Sequence, residues 1–206
     1  VYWEDINGDN KINGLDREVV GNIFPKVTGG FSSTLSWKGI SLYARFDYAL
    51  GHTLYNDLAA RTLGQYQGAF NIITEVKDMW SEDNPNSDLP AFYYADQLAK
   101  KNITRSNNAS ASRHNNSSRL YEKADYLALR ELTLSWDLPK AWTSKAFIQN
   151  ASVYVTGQNL FYVTGYTGTS PEPVLTNSDN NENLYGVDQG RYPTPRTVLF
   201  GLSVTF

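Results

Sequence analysis

The sequence predicts an all-β fold: antiparallel strands of a large transmembrane β-barrel with long loops on one side. Three observations lead to this prediction. The chain contains 14 Tyr, 9 Phe and 5 Trp, and Ser, Thr, Asn and Gly fill much of the rest, which suits strands and turns better than a helical bundle. Apolar and polar residues alternate with a period of two over long runs. Short and long connections alternate between those runs, as they do in outer-membrane barrels.

The first two predicted strands form a hairpin. The second of them, ISLYARFDYAL (residues 40–50), places apolar side chains on one face and polar ones on the other. This run is about twice as long as an ordinary globular strand. The stretch GGFSSTLSW before it alternates in the same way and ends at Trp37. Lys38 and Gly39 lie between the two runs and predict a tight turn.

Three further strands are predicted downstream. The third lies in DYLALRELTLSWDLP, where the alternation changes phase near Arg130 and Glu131. The change indicates either a β-bulge or the crossing from an exposed to a submerged segment. The fourth is ASVYVTGQNLFYV, and the fifth is TVLFGLSVTF, whose alternate residues from Val198 to Phe206 are apolar. Five is an odd number of strands and the chain starts without Met. We therefore expect a section of a longer polypeptide that cannot close a barrel alone.

The connections between strands predict an orientation. Outer-membrane barrels have short turns on the periplasmic side and long loops outside the cell. The connections 38–39 and 139–150 are then periplasmic, and the expected extracellular loops are residues 1–26, 53–124 and 165–195. Within the longest of these loops, AFNIITEVKDMW (residues 69–80) has apolar residues at helical spacing and predicts a short amphipathic helix.

Composition and residue placement argue against several classes of function. A net charge of −3 gives no electrostatic basis for nucleic-acid binding. The chain has no cysteine, which rules out disulfides and thiolate metal sites. The two histidines, His52 and His114, lie far apart, and no set of Asp, His and Ser residues converges. We therefore do not expect an enzyme.

Residues 5–16, DINGDNKINGLD, have the spacing of an EF-hand calcium loop. The predicted ligands are a backbone carbonyl and five side chains, in chain order Asp5, Asn7, Asp9, Lys11 (carbonyl), Asn13 and Asp16. Asn10 stands where such loops carry Gly, and Asp16 stands where they carry Glu, as in dockerin-like loops. We expect one structural Ca²⁺ that stiffens the loop. The alternative is an Asx-rich turn held by its own side-chain hydrogen bonds.

Two groups of residues are candidates for lining a substrate path. Arg45 and Asp47 lie on the polar face of the second strand, where they either contact a substrate or pair with neighbouring strands. The loop aromatics Trp80, Tyr93 and Tyr94 either stack on sugar rings or pack the loop. A separate set of aromatics at or beyond strand ends predicts an interfacial girdle: Trp37, Trp136, Tyr162 and Tyr166.

Four segments, in order along nearly the whole chain, resemble the C-terminal part of the SusC/RagA-type TonB-dependent transporters of Bacteroidetes. They are DINGDNKINGLDREVVGNIFPKVTGGFSSTLSWKG, SSRLYEKADYLALRELTLSWDLPK, VYVTGQNLFYVTGYTGTSPE and YPTPRTVLFGLSVTF. The resemblance implies that residues 1–206 are the C-terminal section of a barrel of about 22 strands, with Phe206 as the barrel terminus. The plug domain that fills such barrels belongs to the N-terminal part, and no segment here matches it.

The same resemblance implies a function for the whole protein. It is expected to reside in the bacterial outer membrane and to import glycan oligomers or peptides, without a catalytic role. The implied partners are outer-membrane lipid, the oligosaccharide or peptide substrate, a SusD-like surface lipoprotein over the extracellular mouth, and the TonB complex, reached through the N-terminal part. The residues alone leave one alternative open, a secreted calcium-binding β-module with a dockerin-like or carbohydrate-binding role.

Overall fold

The computed structural model describes residues 4–11, 14–62, 73–87, 89, 118–173 and 185–206. Its principal element is a five-stranded antiparallel sheet in the order β1–β2–β5–β6–β8. These strands are β1 (Val27–Trp37), β2 (Ile40–Leu50), β5 (Tyr126–Asp137), β6 (Asn150–Thr164) and β8 (Thr197–Thr205). The predicted set of five long antiparallel strands is thereby confirmed. None of the helices in the described ranges combines the length and the apolar character needed to cross a membrane.

A second, smaller sheet lies beyond one end of the first. It contains β3 (Thr53–Asn56) between β4 (Tyr121–Lys123) and β7 (Val187–Asp188), with β4 antiparallel and β7 parallel to β3. Helix α1 (Asp57–Thr62) follows β3 directly. Because β3 comes just after β2 and β4 comes just before β5, this sheet sits at the end of the main sheet opposite the Lys38–Gly39 turn. The segments predicted as long loops therefore contain regular structure of their own.

The β1–β2 hairpin has the predicted turn. Cross-strand pairs run without interruption from Val27–Leu50 to Trp37–Ile40. The two turn residues, Lys38 and Gly39, have φ angles of 47° and 84°. Two successive positive φ angles are the signature of the tight turn whose twist matches that of the flanking strands.

The predicted bulge lies at Arg130. In the β2–β5 register, Arg45 pairs with Glu131 and Phe46 pairs with Leu129, so Arg130 is the extra residue on β5. A bulge resets the alternation of side chains along a strand. As a result, Leu129 and Leu132 face the same side of the sheet although they are three residues apart, and the bulge prediction is confirmed.

The registers and the alternation of side chains divide the main sheet into two different faces. We call them the apolar face and the polar face. The apolar face is exposed, with Phe200 83% exposed, and its large members include Phe31, Leu35, Trp37, Ile40, Leu42, Leu134, Trp136, Val153, Phe161, Val163, Val198, Phe200 and Leu202. The polar face carries Ser, Thr, Arg, Asp and Glu side chains, including a Thr133–Thr156 hydroxyl pair at 2.8 Å.

The amphipathic helix predicted at residues 69–80 is not an α-helix in the part that the structure describes. A 3₁₀ helix runs from Thr74 to Asp78, and Val76 is its buried residue. The first four residues of the predicted helix lie outside the described ranges. A 3₁₀ turn needs fewer residues than an α-helix and closes after three, which suits a short segment that buries one side chain.

Candidate functional site

Residues 165–173, which we call the return segment, fold back over the polar face at the end where β2 and β6 finish and β5 begins. This segment follows β6 directly, and its side chains and carbonyls contact residues of β5, β6 and the small sheet. It begins the long loop predicted at residues 165–195, and it is attached to the rest of the chain at four points.

The first attachment centres on Arg130, which the bulge directs to the polar face. Its guanidinium pairs with Glu172 of the return segment and with Asp47 of β2. Arg130 Nη1 also donates to the hydroxyl of Tyr162 over 2.8 Å, and that hydroxyl donates to Glu172 over 2.9 Å. Tyr126 completes the group by donating to Asp47. One cation thus holds two carboxylates, and hydrogen bonds to charged groups of this kind are the stronger ones in proteins.

The second attachment is made by His52, which is only 1% exposed. Its Nε2 lies 2.8 Å from the carbonyl oxygen of Pro171. Because a carbonyl can only accept, Nε2 carries a proton and donates in this bond. Nδ1 has no hydrogen-bond partner among the residues that the structure describes. The ring packs edge-on against Tyr126, with centroids 6.2 Å apart.

The third attachment is made by Asp188 of β7, which is almost completely buried. Its carboxylate accepts hydrogen bonds from the Tyr166 hydroxyl at 3.0 Å and from both the backbone N–H and the hydroxyl of Thr169. The backbone N–H of Gly190 also donates to it over 3.0 Å. Burial, together with the charge of Asp188, raises the pKa of Tyr166 well above its ordinary value.

The fourth attachment is made by Glu122 of β4. The backbone N–H of Thr167 donates to its carboxylate over 2.9 Å, and the Thr167 hydroxyl donates over 2.8 Å. Asn56, at the end of β3, donates to the same carboxylate over 3.0 Å. Together, the four attachments tie a nine-residue segment to strands on both sheets, so the segment is a fixed part of the polar face.

The cleft beside the small sheet is a second feature of the same end. It has a volume of about 210 Å³, and its lining includes Tyr55, Tyr121 and Tyr185 together with Val20 and Ile23. Burial raises the pKa of Tyr121. Ligand pockets for drug-sized molecules enclose roughly 300–1,000 Å³. This cleft therefore has room for one sugar ring or one apolar side chain of a longer ligand.

The predicted substrate-path residues are only partly brought together. Asp47 belongs to the Arg130 group, whereas Arg45 pairs with Glu131 at 3.9 Å and has a side chain that is 55% exposed. No hydrogen bond or ring contact joins Trp80 to either of them within the described ranges. Tyr93 and Tyr94 lie outside those ranges. Contact of any of these residues with a substrate stays a prediction.

Sequence reasoning missed Arg130, Glu172, His52 and Asp188 as members of one site. The signal that pointed to Arg130 was the change of phase in the third strand, which marked a bulge but not its partners. The other three are distant in sequence: His52 and Pro171 are separated by 119 positions.

The girdle prediction is supported for two of its four aromatics and wrong for the others. Trp37 and Trp136 lie exposed on the apolar face at the short-turn end. Tyr162 instead points to the polar face, where it bonds Arg130, and Tyr166 is buried against Asp188. Their hydroxyl groups find charged partners there, which favours burial over an interfacial position.

The described residues of the predicted calcium loop, 5–11 and 14–16, are joined by hydrogen bonds to two aspartates. Asp5 accepts hydrogen bonds from the backbone N–H groups of Gly8, Asp9 and Asn10, at 2.8, 3.2 and 2.6 Å. The Asp16 carboxylate accepts from the N–H of Ile6 over 3.1 Å. Among the described residues no three His, Cys, Asp or Glu side chains group closely enough to hold a metal. Asn13 lies outside those residues. These contacts are those of the alternative Asx-rich turn, and calcium binding stays a prediction.

Comparisons with known proteins agree with this fold. No protein-family model matches the chain. The chain is 31% identical over 207 residues to TonB-dependent receptor P3 of Formosa agariphila and 30% identical over 205 residues to receptor P26 of the same organism. Each match covers 99% of this chain but 19% of the relative, so the chain spans about a fifth of the length of the curated relatives it matches.

Solved structures also resemble this chain over most of its length. A chain of the RagAB peptide transporter has 28% sequence identity and a TM-score of 0.66, with 89% of this chain and 17% of that chain covered. In the closed–closed state of the RagAB peptide importer the TM-score is 0.67, with coverages of 91% and 18%. These relatives are receptors and transporters, not enzymes, which confirms the expectation that the chain is not an enzyme. Over nearly its whole length the chain is therefore similar to a section of TonB-dependent receptors that makes up about a fifth of each.

Proposed function

We propose that the chain is the C-terminal wall section of an outer-membrane importer that takes up glycan oligomers or peptides. The observation that carries this proposal is the pairing of a continuous exposed apolar face with a polar face that holds the return segment. A water-soluble monomer rarely exposes an apolar patch larger than a few hundred Å². In a barrel wall the apolar face would contact lipid and the polar face would line an aqueous path, so each face would have a suitable environment.

The dimensions of the strands support a membrane-spanning role. β1 and β2 each contain 11 residues. At about 3.3 Å per residue they are about 36 Å long. With the tilt of roughly 40° usual in such barrels they cross about 28 Å, close to the apolar band of about 25 Å.

The position of the return segment supports a substrate path through the barrel interior that narrows near its extracellular end. Lys38 and Gly39 form a short connection, and short connections lie on the periplasmic side in this class of barrel, which supports the same orientation here. The return segment, at the opposite end, then narrows the path just inside the extracellular mouth. The three-tyrosine cleft lies at the same end and would hold one unit of an oligomeric substrate.

The partners of the whole protein belong to the same proposal. Similarity to the RagAB peptide importer supports a surface lipoprotein of the SusD type over the extracellular mouth and a peptide as one substrate class. Similarity to TonB-dependent receptors supports energy supply through the TonB complex, which the remaining part of the protein would contact.

The exposed apolar face argues against the alternative of a secreted calcium-binding module. Such a module would cover its large apolar side chains in water. No observation on the described residues favours it.

Membrane extraction and uptake together test the proposal with the whole protein. We expect the protein to remain in the outer-membrane fraction after washes with high salt and with chelator, and to require detergent for release. We also expect its deletion to abolish growth on one class of oligomer, glycan or peptide, while growth on the corresponding monomers is retained. Release by a salt or chelator wash would overturn the barrel assignment, and unchanged growth on every oligomer tested would overturn the import role.

A further inference from the structure

Arg130 holds two carboxylates that are attached to the chain in different ways. Asp47 belongs to β2, where it is paired across the sheet with Gly30 of β1 and Ala128 of β5. Glu172 belongs to the return segment and is part of no strand. Asp47 is therefore fixed by the ladders on both sides of it, whereas Glu172 can leave Arg130 without separating a pair of strands.

The backbone around Glu172 has few hydrogen-bond donors. Pro171 and Pro173 flank it, and proline has no backbone N–H. The N–H of Glu172 itself donates to the nearby hydroxyl of Ser170 over 3.3 Å, and the carbonyl of Pro171 accepts from His52. This stretch therefore lacks the donors that would join it to a strand, so moving it away from the polar face breaks few backbone hydrogen bonds.

The earlier part of the return segment is held independently of Glu172. The carboxylate of Asp188 accepts from the Tyr166 hydroxyl, and the carboxylate of Glu122 accepts from the backbone N–H of Thr167. Neither contact depends on the ion pairs at the bulge. When Glu172 leaves its partner, the segment therefore stays attached to the small sheet while its far end is free to move.

Two donors converge on one oxygen of Glu172. Nη2 of Arg130 and the hydroxyl of Tyr162 both donate to Oε1, the hydroxyl over 2.9 Å. A guanidinium beside a hydroxyl suits a carboxylate, because both groups form charge-assisted hydrogen bonds with it. The Glu172 side chain is 33% exposed, so the pair of donors can be reached from solvent once it moves. A carboxylate that took its place would leave the number of ion pairs at Arg130 unchanged.

We propose that Arg130 and Tyr162 form a binding site for a carboxylate of the imported oligomer, and that Glu172 is the internal occupant of this site. The incoming carboxylate replaces Glu172 on Nη2 of Arg130 and on the Tyr162 hydroxyl, while Asp47 keeps its place. An acidic peptide side chain and a uronate of an acidic glycan both present this group. The inference rests on the proposed import function, because it requires the polar face to line the substrate path.

Titration calorimetry on the whole protein in detergent tests the site with two matched pairs of probes. One pair is oligoglutamate and oligoglutamine, and the other is oligogalacturonate and its full methyl ester, all of equal length and at constant ionic strength. We expect the acidic member to bind more tightly than the neutral member in at least one pair, and that pair identifies the source of the carboxylate. Equal binding within both pairs would overturn the proposal.

The variant E172Q tests whether Glu172 occupies the site. A site that its own chain fills about nine-tenths of the time binds ligand about tenfold more weakly than an open one, so E172Q should raise the affinity for the acidic probe about tenfold. The matched control is E131Q, which removes a carboxylate from the same face but one that pairs with Arg45, and it should change the affinity only slightly. An affinity that is unchanged or lower in E172Q would overturn the proposal.

The gain expected for E172Q cannot arise from misfolding, which would lower binding. R130M should reduce binding of the acidic probe to that of its neutral partner, whereas R45M, which removes an exposed arginine from the same face, should not. Growth tests separate this site from the import role. Growth that depends on the protein, combined with no effect of E172Q on binding, removes the carboxylate site and leaves the import role. Growth on every oligomer without the protein removes the import role itself.

Discussion

Arg130 on β5 and Asp47 on β2 form a forked ion pair, in which Nε and Nη2 of the arginine donate to different oxygens of the carboxylate, the second over 3.0 Å. Arg130 is also the extra residue of the bulge. Because the bulge places Arg130 and Glu131 on the polar face together, each can meet its own acidic or basic neighbour: Arg130 meets Asp47, and Glu131 meets Arg45. A strand without the bulge would direct one of these two charges to the apolar face.

Replacing Arg130 with Met should release the return segment, because the carboxylates of Asp47 and Glu172 would then share a partly buried site without a cation. Breaking such a group costs about 3 kcal/mol, the lower end of the range for buried pairs, since these side chains are partly exposed. We expect protease cleavage within residues 165–173 of the whole protein to become about 100-fold faster.

Two matched variants test whether the forked geometry of the Arg130–Asp47 pair is needed to hold the return segment in place. R45M removes an exposed arginine from the same face and should change cleavage only a few-fold, because exposed pairs contribute about 0–1 kcal/mol. R130K keeps the charge without the planar fork and should lie between R130M and the native protein. Cleavage that is equally slow in R130M and R45M would contradict the role assigned to Arg130.

Tyr166 should make the return segment sensitive to alkaline pH. Burial and the charge of Asp188 raise its pKa above the ordinary value of 10.0, so the folded state holds the hydroxyl proton more tightly than the unfolded chain does. The resulting stabilisation is complete below pH 10 and decreases as the pH rises above it toward the folded-state pKa. Hydrogen exchange of residues 165–173, followed from pH 8 to pH 12 in the native protein, measures this loss.

The variant Y166F isolates this effect from that of the other tyrosines. It loses the hydrogen bond to Asp188 and should be less stable at neutral pH by about 1 kcal/mol. Its stability should then fall less steeply above pH 10, so that the two curves approach each other. Curves that stay parallel across this range would show that Tyr166 does not titrate in the way its environment requires.

A charge on the apolar face should destabilise the protein in a bilayer more than the same charge on the polar face. F200R places a guanidinium toward lipid and should cost about 2 kcal/mol or more, depending on depth. L199R is its matched control, since Leu199 is the neighbouring residue on β8 and points to the polar face. Refolding into lipid vesicles under a urea gradient measures both values, and a larger cost for L199R would reverse our assignment of the two faces.

Calcium should stiffen residues 5–16 if the sequence prediction is right. An extracellular loop of this type binds Ca²⁺ with a dissociation constant of about 10⁻⁴–10⁻³ M. We expect added Ca²⁺ to slow protease cleavage in residues 5–16 of the whole protein, and a chelator to restore it, with Mg²⁺ as the control ion. If the loop resists protease equally with and without the chelator, the hydrogen bonds accepted by Asp5 and Asp16 account for its structure and the calcium prediction fails.

The elements that could be predicted are those whose structure depends on residues close together in the sequence. The β1–β2 hairpin follows from two alternating runs and a Lys38–Gly39 pair that tolerates positive φ angles. The bulge at Arg130 appears in the sequence because an inserted residue shifts the phase of alternation. By contrast, the small sheet was not predicted, because β4 and β7 contain only three and two residues and β3 pairs with a segment more than 130 positions away. Strands of two or three residues are too short to show an alternation of apolar and polar residues in the sequence.

The long strands with one apolar and one polar face can be read from the amino-acid sequence, because alternation with period two is a property of neighbouring residues. Which polar residues form a site depends on how the chain folds in three dimensions. Arg130 meets Glu172, His52 meets Pro171, and Asp188 meets Tyr166 only after the return segment has folded back across the sheet. The energy of those contacts depends on distance and burial in three dimensions, and no local pattern of residues records either.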